Sequence, residues 1–259
     1  MRIGIEAVLD YDFAEPSDVL LALEAAHLPD QHVLDQSLLI EGAGPLSTLG
    51  GGSAVGRRTW TRTEAGRMLA TYRATVEVSR TLPDLSALAK SPLPSLPGDV
   101  LPFIWPSRYC EADRFVPFVG THFEGLEGGA LVQALVKWVH DNIRYVPGSS
   151  DGNSSATDTF IAQQGVCRDY AHLTAALIRA HDIPARLVSV YALDLDPPDF
   201  HAVVEVWLDG AWHIVDATGL ASIDSMIRIA VGRDATDIAF MTIFGCAQMQ
   251  RQAIKVTRI

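Results

Sequence analysis

Apolar and polar residues alternate at two places in the first third of the chain. One is Ile3, Ile5, Ala7 and Leu9; the other is Met68, Ala70, Tyr72, Ala74, Val76 and Val78. A period of two sends successive side chains to opposite faces, so both stretches predict half-buried strands. Shorter apolar runs at 19–23 and 37–40 lie between them, interrupted by Pro29, Gly42, Gly44 and Pro45. The run at 19–26 fits a strand or a helical turn or two. Roughly the first 80 residues thus predict an antiparallel sheet module. Pro83, Pro92, Pro94, Pro97, Pro102 and Pro106 follow. Such density sustains neither a helix nor an inner strand, so it marks a linker or crossing segment. We place a boundary here: an N-terminal β-rich domain at 1–97 and a second domain at 98–259.

The period changes after the boundary. Leu131, Leu135, Trp138, Val139 and Ile143 recur at helical spacing and predict a helix over 129–144. A Gly-, Ser- and Asn-rich loop covers 147–155, and a second helix is expected from Cys167 to Ala180, ending before Pro184. Strand-like segments follow at 186–193, 201–208 and 212–215, with 255–259 a candidate last strand. Helices first and antiparallel strands after them define an α+β class.

Composition narrows the function classes. The chain has 259 residues, 48% apolar and 20% charged, which is enough apolar content for a sizeable core. Its net charge of −11, with no basic arm, argues against nucleic acid or an anionic membrane as partner. Cys110, Cys167 and Cys246 are widely spaced, with no CxxC, so neither a disulfide scaffold nor a zinc knuckle is expected. Acidic residues near the start oppose a signal peptide, and no apolar run reaches the roughly 18 residues of a membrane span. The expectation is a cytoplasmic protein with free thiols.

Candidate chemistry concentrates in Gln164-Gly165-Val166-Cys167-Arg168-Asp169-Tyr170-Ala171-His172. Gly165 permits a tight turn into the helix. Cys167 falls in its first turn, where the helix dipole and free N–H groups favour a thiolate and its own N–H can meet an oxyanion. A buried cysteine acting as a small hydrophobe is the competing reading. A thiolate nucleophile needs a base, and the base an orienter. Asp209-Gly210 signals a two-residue hairpin, which sets Asp216 opposite Val203, one diagonal step from His201 on the same face. A one-residue slip would separate them.

These residues carry a resemblance. Gly165 to Pro184, Asp199 to Trp207, and Trp212 to Thr218 resemble the core of the bacterial transglutaminase-like superfamily, papain-like thiol enzymes with chain order Cys, His, Asp. The front module resembles the β-rich N-terminal domain of bacterial members, and Gly232 to Ala235 with Phe244-Gly245 resembles their C-terminal end. The resemblance implies Cys167 as nucleophile, His201 as base and Asp216 as orienter. Many members read Asp-Pro-Thr where this chain has Asp216-Ala217-Thr218, which puts only the following turn in question. Nothing resembles the calcium sites of animal transglutaminases, so no metal and no cofactor are expected. The implied function is a cysteine peptidase acting on a peptide or protein substrate through a thioester. Its alternatives are a transglutaminase with an amine acceptor and a non-catalytic, peptide- or partner-binding pseudoenzyme. Gln164, Gln163 and Trp105 are candidate oxyanion donors beside the Cys167 N–H, Trp105 because an indole N–H serves in animal transglutaminases. Each also fits a bland reading as a surface Gln or a packed linker Trp.

Other features suggest structure. His172 lies about 140° around the helix from Cys167 and is a poor partner. A zinc site from Cys167, His172, His201 and His213 lacks ligand spacing. Gly42-Ala43-Gly44 and Gly50-Gly51-Gly52 lack GxxxxGK and are expected to be hairpin loops.

Overall fold

A computed structural model describes residues 1–49 and 55–259. Gly50, Gly51 and Gly52 lie outside the described residues. The first part of the chain forms β1 (Arg2–Phe13), β2 (Ser17–Leu21), β3 (Gln31–Glu41), β4 (Ser47–Leu49), β5 (Arg58–Thr63) and β6 (Gly66–Val78). Past the proline-rich segment come α1 (Val116–His122), α2 (Gly128–Asn142), β7 (Arg144–Tyr145), α3 (Ala156–Ala162), β8 (Gln164–Gly165) and α4 (Cys167–Arg179). The rest is β9 (Ala185–Tyr191), β10 (Phe200–Leu208), β11 (Ala211–Val215), β12 (Ile227–Gly232), α5 (Ala235–Ile238), β13 (Met241–Phe244) and β14 (Ala247–Arg258). The class is α+β. No helix among the described residues is long and apolar enough to cross a membrane.

The period-two stretches become β1 and β6. Their register pairs Ile5 with Ala74, Ala7 with Tyr72 and Leu9 with Ala70, so one face of both strands is buried. In the run at 19–26, open between helix and strand, residues 19–21 end strand β2 with Val19 and Leu21 buried, and 22–26 form neither helix nor strand. Gly42 ends β3 with φ of +77°, and a Cβ there would meet the Arg67 carbonyl at 2.0 Å, so only glycine fits that turn.

The sheets do not respect the boundary at residue 97. Strands β14, β1, β6 and β3 form one antiparallel sheet, and β13, β2, β5 and β4 another. Each therefore takes a strand from the end of the chain. The anticipated tail strand at 255–259 is the last part of β14, which runs along nearly all of β1, from Ile3 opposite Arg258 to Phe13 opposite Ala247. The physical reason is that β1 has two edges, and β6 covers only one. The cores also join: Tyr191, Ile227 and Ile229 pack with the β1–β6 core, and the Tyr191 hydroxyl donates to the Leu23 carbonyl at 2.7 Å.

A third four-stranded sheet is antiparallel in the order β11, β10, β9, β12. Helices α2 and α4 bury Leu131, Leu135, Val139, Leu173 and Leu177 against its Leu187, Val204 and Val206. A buried ion network ties this sheet to the first module. Glu205 on β10 accepts from Arg186 and pairs with Arg228, Arg228 reaches Asp30, and Asp30 also accepts from Arg80.

Candidate active site

Cys167 is the first residue of α4, and Asp169 fixes that helix start. The Asp169 side chain is fully buried; it accepts from the Val166 N–H at 2.8 Å and from the Ser150 hydroxyl. Arg168 adds a second tie, donating to the Asp151 carbonyl at 2.6 Å. Gly165 is required for a different reason than the expected turn. Its φ is not positive; instead a Cβ would stand 2.6 Å from the Asp169 Cβ. We predict that Gly165→Ala displaces Asp169 and loosens the start of α4, costing about 1–3 kcal/mol by overpacking. Urea unfolding together with the alkylation rate of Cys167 checks this: a variant as stable and as reactive as the parent would refute it.

The β10–β11 hairpin delivers the other two residues. Asp209 and Gly210 have φ of +48° and +75°, the geometry of a primed two-residue turn. Val204 stands opposite Val215 and Leu208 opposite Ala211, which is the register anticipated from the turn. Asp216 follows the end of β11 and reaches back to His201, with Nε2 to Oδ2 at 2.9 Å. Thr218 clamps that carboxylate, its N–H on Oδ1 at 2.9 Å and its hydroxyl on Oδ2 at 2.8 Å. Ala217, the departure from Asp-Pro-Thr, therefore leaves a closed turn around Asp216.

His201 is buried and lines one cleft with Cys167. With Nε2 engaged by Asp216, Nδ1 is the nitrogen left for the thiol. Burial opposes charging of the ring. The hydrogen bonds to Asp216 and Cys167, and the negative charge of both partners, outweigh it and lift His201 to a pKa of about 9. At neutral pH the imidazole is a cation held between a carboxylate and a sulfur.

The other expected residues fall elsewhere. Trp105 is exposed on the crossing segment, and its carbonyl takes an Arg179 hydrogen bond at 3.4 Å. Gln164 sits on β8 and accepts from Arg144 at 3.4 Å, and Gln163 caps α3 in a left-handed conformation. None of the three lines the cleft that holds Cys167 and His201. Tyr145, which sequence reasoning missed, also stands outside that lining but close enough to Cys167 for the two to influence each other. It pairs with Gly165 between β7 and β8, two residues from Cys167, and the Cys167 sulfur is among the groups that act on its phenol. Burial and the neighbouring sulfur push its pKa up to about 12, so the phenol keeps its proton. A two-residue strand leaves no periodic signal, which is why the pairing was invisible.

His172 is fully buried. It accepts the Ala235 N–H at 3.1 Å, stacks on Tyr109 at 5.0 Å, and burial pulls its pKa down to about 3. His213 binds the Leu208 carbonyl at 3.2 Å. Among the described residues no group of three or more His, Cys, Asp and Glu is placed to hold a metal ion. Cys110 is buried, its thiol pushed up to about 12 by burial, and Cys246 is exposed.

Comparison with known proteins places this geometry. The model of the transglutaminase-like superfamily matches residues 125–217. A structure from Cytophaga hutchinsonii, described as that of a "putative cysteine protease", is 35% identical, with a TM-score of 0.94 over 99% of this chain and 90% of that one. An uncharacterized protein of Mycobacterium leprae is 31% identical over 146 residues, 52% of this chain and 51% of the relative. One from Mycobacterium tuberculosis is 28% identical over 124 residues, 42% of this chain and 39% of the relative. The chain thus spans about half or less of the length of these curated relatives.

Proposed function

This chain belongs to the transglutaminase-like superfamily, and from that premise we propose that it is a thiol-dependent amide hydrolase, a cysteine peptidase acting on a peptide or protein substrate. The observation that carries the reading is a cysteine at a helix start sharing a cleft with a buried imidazole, whose far nitrogen is held by a clamped carboxylate at 2.9 Å. The description given to the Cytophaga protein points the same way.

In this reading the Cys167 proton already rests on Nδ1 of His201 at neutral pH, and the thiolate attacks the carbonyl carbon of an amide. The carbonyl π pair moves to oxygen, and the Cys167 N–H and Tyr145 hydroxyl stabilise the oxyanion. Its collapse breaks the C–N bond, His201 gives its proton to the departing amine, and a thioester remains on Cys167. Water, deprotonated by His201, attacks the thioester; the C–S bond breaks, releasing a carboxylic acid and restoring the thiol. Asp216 keeps the proton of His201 on Nε2 so that Nδ1 faces the chemistry throughout.

Iodoacetamide alkylation of native protein from pH 4 to 10, resolved by peptide mapping, tests the centre, with Cys110 and Cys246 as internal controls. Fast reaction of Cys167 below pH 8 supports the reading; an inert Cys167 sinks it and favours the pseudoenzyme. Product analysis with and without an added primary amine then separates hydrolysis from transamidation. Tyr145→Phe tests the second donor. We expect kcat to fall by about 10²-fold, the scale of losing one oxyanion donor, while Cys167 still alkylates within a few-fold of the parent rate. Unchanged kcat would remove Tyr145 from the reaction.

A further inference from the structure

The cleft of about 620 Å³ that holds Cys167 and His201 has two walls of opposite charge. One wall is built at the cysteine. Arg168 follows Cys167, and Arg108 stands on Tyr109 with its guanidinium 4.9 Å from the ring centre. The Tyr109 hydroxyl donates to the Gly152 carbonyl at 2.7 Å and Arg168 donates to the Asp151 carbonyl, so Arg168 and the ring beneath Arg108 are tied to the same loop. Arg108 has no carboxylate partner among the described residues. The other wall is built at the histidine. Asp199 and Phe200 immediately precede His201. Oδ1 of Asp199 accepts from the Phe200 N–H at 2.7 Å and from Gln252 at 2.5 Å, and the carboxylate has no cationic partner among the described residues. Phe200 stacks on Phe240 at 4.3 Å beside it, an apolar shelf next to a negative charge.

The chemistry says which wall meets which half of a substrate. The imidazole must reach the leaving nitrogen to protonate it, so the Asp199–Phe200 wall flanks the amine half. The acyl half bonds to sulfur and lies toward the Arg108–Arg168 wall. Resting on the thiol-enzyme reading above, we propose that the cleft selects amides that join a carboxylate-bearing acyl residue to a basic, lysine-like amine. The carboxylate accepts from Arg108, the aliphatic stem of the amine lies on Phe200 and Phe240, and its ammonium meets Asp199. These are the two unspent charges of the cleft in a chain whose net charge is −11, so the cationic wall runs against the field of the whole molecule.

Peptidyl epoxides span both sides of a scissile position and need no turnover, so they test this on the intact chain. One series carries Glu, Gln or Lys on the acyl arm and Lys, Gln or Glu on the amine arm. The second-order rate of Cys167 alkylation is read by peptide mapping. The Glu–Lys probe is expected to react about tenfold faster than the Lys–Glu probe, about threefold from each partly exposed pair, with the difference shrinking in 1 M salt. Arg108→Glu should remove or invert the acyl-arm preference alone, and Asp199→Asn, which keeps a side-chain oxygen for Phe200 and Gln252, the amine-arm preference alone. Equal rates for all probes would overturn the charge selection and leave the thiol-enzyme reading standing. A Cys167 that no probe and no iodoacetamide alkylates would overturn both.

Discussion

His201→Ala is expected to abolish amide turnover and to slow alkylation of Cys167 at pH 6 by about a hundredfold. The buried ring holds its proton up to about pH 9, so across neutral pH it sits beside the sulfur as a cation, which favours the nucleophilic thiolate. An unassisted thiol with the ordinary pKa of about 8.5 is only about 0.3% ionised at pH 6. A stabilised thiolate is also a weaker nucleophile, which returns part of that roughly 300-fold. Peptide mapping reads Cys167, with Cys110 and Cys246 reporting general changes in access. A variant whose Cys167 keeps its rate at pH 6 would show that the imidazole does not activate it. In the parent protein, the proposed amide turnover should fall as pH rises past about 9, where His201 no longer holds a proton for the leaving amine. The same proton stabilises the fold. The folded pKa lies above the unfolded value of about 6.5, so the stabilisation is complete below pH 6.5 and is lost as pH rises through 9. It amounts to about 3 kcal/mol. Melting temperatures of parent and variant should therefore converge between those limits.

Glu205→Gln should cost about 3–5 kcal/mol and lower the melting temperature by about 10 °C. Glu205 is almost fully buried. Oε2 accepts from the Arg186 Nε at 2.7 Å with Nη2 at 2.6 Å, and the Arg228 Nε stands 2.6 Å from Oε1 as an ion pair without hydrogen-bond geometry. Neutralising it leaves Arg186, Arg228 and Arg80 with Asp30 as the one carboxylate of the cluster. Burial already disfavours the charge of Arg186 and of Arg80. The loss comes from stranding cations in a low dielectric rather than from the pair being strongly favourable. Removing both partners, as Glu205→Leu with Arg186→Met, should therefore recover much of the stability. Thermal unfolding of the single and double variants decides it. A Glu205→Gln protein that melts within a degree of the parent would mean the network is solvated.

The hairpin was legible because Asp209-Gly210 fixes a register by itself, and the register alone places His201 near Asp216. Cys167 was legible because a glycine, an extended residue and a long apolar-faced helix occur in that order. The closing strands were not. Between Ala247 and Arg258 the exposed residues Gln248, Met249, Gln250 and Arg251 alternate nothing, since an edge strand buries little on either face. No local pattern tells such a segment to return to the first module. Tyr145 and the Glu205 network were hidden for a related reason: their partners are distant in sequence, and only folding makes a two-residue strand or a charge inside a β run meaningful. Gly165 was singled out correctly but for the wrong constraint, because the crowding comes from a side chain four residues ahead.

The return of β14 sets an order of events during synthesis. Cys167, His201 and Asp216 are all made before residues 247–258 exist, yet Gln252 on that strand holds Asp199 in the cleft wall. A chain still growing on the ribosome can pair β10 with β11 and seat His201 on Asp216. It cannot finish the wall beside Phe200, nor cover the open edge of β1. Cys167 therefore acquires a complete cleft only after translation has passed Arg258, when the first strand and one of the last have found each other.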